Sequence, residues 1–238
     1  MRNLSKFDKF YLEIKDNRWY WYFSIFCRLV LSIGFFTAGM VKIMDERFAS
    51  GLSDLHPMGA YLEALYHTGY YYTFIGIAQV VAAVLLLIPR TVVLGALLYF
   101  PIIINIWILS FAVRFDGSFI SSPLMVLANL YVLAWHYDKL KYILPFKKFP
   151  SFGIIERPKK LSNKFPWLFF IGVASSFCIV VVYSLFGHEV MPRNSLSDCN
   201  KQFIGTNNEI AGIKFCECIH VQGQSLEDCL ATYEKSKI

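Results

Sequence analysis

The chain has 238 residues, of which 56% are apolar, 17% aromatic and only 17% charged. Soluble domains carry about a quarter charged residues, and here the charges gather in blocks between long uncharged stretches, which excludes an ordinary soluble domain and indicates a polytopic membrane protein. The net charge of +6 does not point to nucleic acid, because the basic residues flank apolar segments and form no basic face.

Residues 1–21 form a basic amphipathic lead-in that runs into the aromatic cluster WYWYF at Trp19. The first apolar stretch, about 22–41, is interrupted only by Arg28. It is long enough to cross a hydrocarbon layer of about 30 Å, which takes roughly 20 helical residues. It lies too deep and runs too long for a cleaved signal peptide, and no small-residue cleavage site follows. In the loop 43–69, HPMGAYLEALYHTG predicts a short amphipathic helix. Pro57 starts it, Leu62, Leu65 and Tyr66 are its apolar face, and Gly69 stops it. Its place is flat on the membrane or over the mouth of the bundle.

The second and third spans, 70–89 and 92–113, carry no charge, and the short link IPRT makes them an antiparallel hairpin. Pro101 predicts a kink in the third. Gly34 with Ala38, and Ala78 with Ala82, place small residues at helical spacing and allow close helix approach. The fourth span, 118–135, opens with Ser122 and Pro123, which suit an N-cap and a first helical turn. A basic loop, 138–164, leads to the fifth span, 165–187. The tail, 188–238, holds four of the six cysteines: Cys199, Cys216, Cys218 and Cys229. Over 213–221 the residues alternate, with Ile213, Phe215, Ile219 and Val221 opposite Lys214, Cys216, Cys218 and His220, which predicts a strand. SLED then resembles a capping box with Asp228 in place of Glu or Gln, and starts a terminal helix carrying Cys229. So small a unit cannot hold together by its own core.

Lysine and arginine set the orientation. Alternating spans put the lead-in, Arg90 and the 138–164 loop on one side, and that side collects most of the basic residues. The positive-inside rule makes it the cytoplasm. The composition suggests a bacterial inner membrane, with the N-terminus cytoplasmic and, after five spans, the tail periplasmic. Disulfides persist there.

FFTAGMVKIMDERF and IGIAQVVAAVLLLIPRTVVLGALLYF resemble the DoxX-like membrane proteins, including the MauE branch, over residues 22–137. Ala78, the aliphatic run to Ile88, and Arg90 fit the pattern, while Gln79 stands where those proteins often have glutamate and Pro89 where they often have glycine. The resemblance implies a four-helix bundle associated with redox or envelope-maturation systems and, in the MauE branch, with disulfide formation in a partner. The fifth span and the tail lie outside it. The expected fold is therefore all-α and integral to the membrane: a DoxX-like four-helix bundle, a fifth transmembrane helix and a small exocytoplasmic disulfide-stabilised tail.

Three chemistries compete for the tail. Two disulfides would staple it, with Cys216 and Cys218 each bonding elsewhere, to Cys199 and Cys229 in some order. The CEC pair is alternatively a redox dithiol, though it lacks C-x-x-C spacing. Cys216, Cys218 and His220 would form a zinc site if reduced, which an oxidising compartment disfavours. Within the bilayer Arg28 is the costliest residue. It either snorkels or pairs with a bundle polar group or with a lipid or quinone headgroup. Gln79, Asn105 and Asn129 are further buried polar candidates, adequately explained by interhelical hydrogen bonds. Lys42, Asp45, Glu46 and Arg47, beside His56 and His67, form a rim cluster that is ordinarily solvated, as are Arg114 and Asp116. Cys27 and Cys178 fit small apolar fillers. No nucleotide loop, catalytic triad or HExxH motif is present, and no cofactor has a dedicated signal, quinone and haem included. The expected partners are the bilayer and a protein of an envelope complex. The favoured function is a non-catalytic accessory subunit, and the alternative is a membrane thiol–disulfide or quinone-linked redox component acting on a periplasmic partner.

Overall fold

The computed structural model describes residues 6–143 and 161–237. Most of the basic loop, with Lys147, Lys148, Arg157, Lys159 and Lys160, lies outside them. In chain order the helices are α1 (Lys6–Lys15), α2 (Arg18–Ile43), α3 (Pro57–Tyr66), α4 (Tyr70–Leu87), α5 (Val92–Ala112), α6 (Asp116–Phe119), α7 (Ser121–Trp135), α8 (Tyr137–Leu140), α9 (Trp167–Phe186), α10 (Leu196–Lys201), α11 (Glu209–His220) and α12 (Leu226–Ser236). No strand occurs among the described residues, only an isolated bridge between Asn17 and Ser162. Five helical stretches are long and apolar enough to cross a membrane: α2, α4, α5, α6 with α7, and α9. The protein is a multi-pass membrane protein.

α2, α4, α5 and α7 make the bundle, and its core includes Leu31, Phe35, Ala82, Leu86, Ala96, Tyr99 and Val126. The tightest crossing is between α2 and α4 at Gly39 and Gly76. A Cβ on Gly39 would stand 2.7 Å from the Gly76 carbonyl oxygen, and one on Gly76 would stand 2.7 Å from Lys42 Cβ. The small pairs expected to do this serve otherwise: Gly34 faces Met125, and Ala82 fills the core. α5 is a single helix through Pro101.

Each end of the bundle has its own clasp. On the N-terminal side, α1 folds beneath the end of α7. Lys15 Nζ lies 3.3 Å from Asp138 Oδ1 and 4.5 Å from the Trp135 ring centre. The Tyr11 hydroxyl lies 2.9 Å from the same carboxylate oxygen and 2.8 Å from the Trp135 carbonyl. Burial pulls the Lys15 ammonium below the ordinary lysine range, and Asp138 opposes that shift. On the opposite side, α3 forms as expected, with Pro57 at its first position and His56 as N-cap.

Two local expectations are overturned. Ser122 is not an N-cap: α7 begins at Ser121, and the Ser122 hydroxyl donates back to the Ser118 carbonyl at 2.7 Å inside a continuous span. The segment expected as a strand is helix α11, whose buried residues Ala211, Gly212, Phe215, Cys216, Cys218 and Ile219 follow a helical repeat, while Ile213 and Val221 are exposed. The alternation appears only when the cysteines are assigned to a polar face. As half-cystines they belong to the core, and the period then becomes helical.

The Gly39–Gly76 contact predicts that Gly39→Val forces α2 and α4 apart, destabilising the bundle by roughly 1–3 kcal/mol. Thermal unfolding in detergent would register this, while Gly51→Val, at a position open to solvent, should leave the midpoint unchanged.

Candidate functional site

The tail folds into a three-helix cap of α10, α11 and α12. Cys199 bonds Cys216 and Cys218 bonds Cys229, with Cα–Cα distances of 5.7 and 5.6 Å. This is the expected pattern, with each member of the CEC pair bonded elsewhere. All four sulfur-bearing residues are buried, in a cluster with Phe203, Phe215, Ile219 and Tyr233. The disulfides account for the zinc alternative as well: Cys216 and Cys218 have no thiolate to offer, and His220 Nε2 is engaged by the Pro192 carbonyl at 2.7 Å. Two S-x-x-D caps start helices in this unit. Ser225 accepts from the Asp228 amide, and Ser195, not foreseen, accepts from the Asp198 amide, each at 3.2 Å.

The cap sits on the mouth of the bundle, and the residues expected to be a solvated rim hold it there. Arg114 donates to the Val190 carbonyl at 2.6 Å. Arg193 lies 3.3 Å from both oxygens of Asp116. Both arginines adopt left-handed backbone, with φ of 49° and 55°, an uncommon conformation for side-chain-bearing residues. Arg47 pairs with Asp54 at 2.8 Å and Glu63 at 2.9 Å, tying the first loop to α3. Lys42 is buried, donates to the Ala38 carbonyl at 3.0 Å, and has its ammonium 4.4 Å from the Phe48 ring centre. His67 alone of that group's basic residues remains on the surface, bonded to Glu63 at 2.9 Å.

At the centre of this junction stand two histidines. His56 is 0% exposed and His220 9% exposed, and their ring centres are 5.8 Å apart, one from the bundle loop and one from the cap. His56 Nδ1 accepts from the Met58 amide at 3.1 Å, and Nε2 is fully buried. Burial holds the His56 imidazole down at about 4, reinforced by neighbouring His220 and opposed by the Arg193 backbone. No group of three metal-ligating side chains occurs among the described residues. The sequence carries a signal for the pair only through the N-cap position of His56. Their meeting depends on how the cap lands.

The intramembrane polar residues divide. Arg28 is half-buried and donates from Nε to the Leu86 carbonyl and from Nη2 to the Leu87 carbonyl, both at 2.7 Å. These are orphan carbonyls at the end of α4, so Arg28 caps a helix end. Asn129 donates to the Ala96 carbonyl at 3.1 Å, as an interhelical bond. Gln79 is buried beside Gly39 with its Oε1 unpartnered. Asn105 is exposed, on the face of α5 opposite the buried stripe of Ala96, Tyr99 and Ile103. Cys27 is a buried filler, as expected, but Cys178 is exposed.

The histidine pair generates a pH dependence. Free of the junction, His56 titrates near 6.5; within it, near 4. Between those values only the undocked state takes up the proton, so docking is strongest above about 6.5 and weakens as pH falls toward 4. The effect amounts to roughly two orders of magnitude in the docking equilibrium. Thermal unfolding followed from pH 7.5 to 5 should show the loss. His56→Asn, which retains a capping acceptor for the Met58 amide, should flatten the profile.

The chain is 34% identical over 128 residues to the uncharacterized protein YwoB of Bacillus subtilis (strain 168), a match covering 52% of this chain and 81% of that protein. No family model and no solved structure matches it.

Proposed function

The chain belongs to the same family as YwoB, and we propose that it is a non-catalytic accessory subunit of a bacterial envelope membrane complex. In this reading the N-terminus is cytoplasmic, the bundle is DoxX-like and the cap faces the periplasm. The observation that carries the reading is that all four tail cysteines are held in buried disulfides. A thiol–disulfide exchanger needs an accessible thiolate or a strained, exposed bond. What remains for function is surface. No residue of α9 is buried, and Ile171, Ile179, Val182 and Phe186 lie exposed along one of its faces. In lipid such a helix associates through packing and small or polar side chains, and Ser175 stands on the same face.

The test places a photo-crosslinking residue at Ile179 of the full chain in its own membrane. Thiols are trapped with a permeant alkylator before electrophoresis. The expected result is an ultraviolet-dependent adduct that survives reduction, with the four tail cysteines alkylated only after reduction and the exposed Cys178 alkylated before it. Absence of an adduct would contradict docking through α9. An adduct that forms without light and disappears on reduction is a mixed disulfide, and would restore the redox reading.

A further inference from the structure

α9 meets the bundle at its two ends through aromatic rings. On the N-terminal side Phe169 packs on Tyr20, Phe23 and Tyr131, with ring centres 4.7, 5.2 and 5.6 Å away. Near the cap Tyr183 stacks over Phe111 at 5.9 Å. Between these contacts a cavity of about 620 Å3 opens, bounded by α2, α7 and α9. Small residues make the room. Ala128, Gly172 and Ser176 line it, and a Cβ added to Gly172 would meet nothing within 4 Å.

We propose that this cavity is a phospholipid site, holding one acyl chain of a lipid from the leaflet on the N-terminal side. Four features select that occupant. The lining is apolar apart from the Tyr131 and Ser176 hydroxyls and the Cys27 thiol. Tyr131 is committed to the Tyr20 carbonyl at 2.9 Å and Ser176 to the Gly172 carbonyl at 2.9 Å. Water needs two to four polar partners, so this space does not suit it, and an empty void of this size forfeits the dispersion contacts of its walls. The depth fits a single leaflet. The lining on α9 runs from Leu168 to Phe177, about 14 Å at 1.5 Å per residue, or half of a hydrocarbon layer of about 30 Å.

Next to the end of the cavity nearest the lead-in, the chain places two cations that suit a phosphate. The Arg18 amide donates to the Ser162 carbonyl at 3.1 Å, and Asn17 donates to the Lys164 carbonyl at 2.8 Å. That clasp brings the Arg18 and Lys164 side chains to the start of α9, alongside Trp19, whose ring is 5.0 Å from Phe165. Asp16 belongs to the same clasp, and Glu13 lies one turn back on α1. Among the described residues neither carboxylate forms an ion pair with Arg18 or Lys164, so both cations are available to a phosphate beside the start of α9.

The experiment is native mass spectrometry of the full chain released from detergent, after purification and after return to nanodiscs of mixed phosphatidylglycerol and phosphatidylcholine. One phospholipid should remain bound at activation energies that strip the rest. Gly172→Leu fills the open space at a helical glycine, where added side chain favours the helix, and should abolish retention while the thermal midpoint is kept. Arg18→Gln with Lys164→Gln should weaken retention roughly thirtyfold, each interfacial cation contributing about fivefold. Retention equal in wild type and Gly172→Leu would mean annular lipid only and overturn the site. A bound prenyl molecule without phosphate, or no bound species at all, would overturn the assignment as well.

Discussion

A hydrocarbon layer offers no hydrogen-bond partner to a backbone amide or carbonyl, and this constraint shapes the whole protein. Five apolar segments become helices because the helix pairs its own backbone. Where it cannot, at the hairpin end of α4, Arg28 supplies two donors to Leu86 and Leu87. A residue that would be costly alone in the bilayer thus stabilises the one place where the backbone needs it. With no hydrophobic force between helices in lipid, the bundle depends on close approach, and Gly39 and Gly76 bring α2 and α4 together.

The mouth of that bundle is a second problem. Its loops carry charges and a buried histidine, and the cap that covers them is too small to fold on apolar burial alone. Two disulfides compensate. Closing a loop of about 17 residues stabilises by roughly 3 kcal/mol, with the shorter loop contributing slightly less. The cap then binds through Arg114, Arg193 and the two histidines, so folding of the tail and closure of the mouth are one event. Gln202 reinforces it, exchanging two hydrogen bonds with the Met191 backbone at 3.2 and 2.7 Å and fixing the strap that leaves α9. α9 itself stands apart from the core and is free to serve other contacts.

Much of this was legible in the residues. The five spans, the hairpin at IPRT, the short helix from Pro57 and the SLED cap follow from local rules, and so does the partition of Cys216 and Cys218 into separate bonds. What escaped depends on tertiary contact. Gly39 and Gly76 lie 37 residues apart, and nothing local in either helix marks the pair. Asn105 could be placed inside or outside only by phasing α5 against its neighbours. The rim charges looked solvated because the cap that covers them comes from the far end of the chain. α11 alternates like a strand for a chemical reason: cysteine counts as polar or apolar depending on whether it is bonded, and the period of the segment changes with that choice.

The disulfides fold the cap, and the folded cap closes the bundle. Hydrogen–deuterium exchange of the full chain in detergent, before and after reduction, tests this most directly. Reduction should strip protection from α10, α11 and α12 and, with them, from the segment around His56 and α3, while α4 and α5 retain theirs. Unchanged protection of the cap after complete reduction would contradict it, as would loss of the cap with no change around His56.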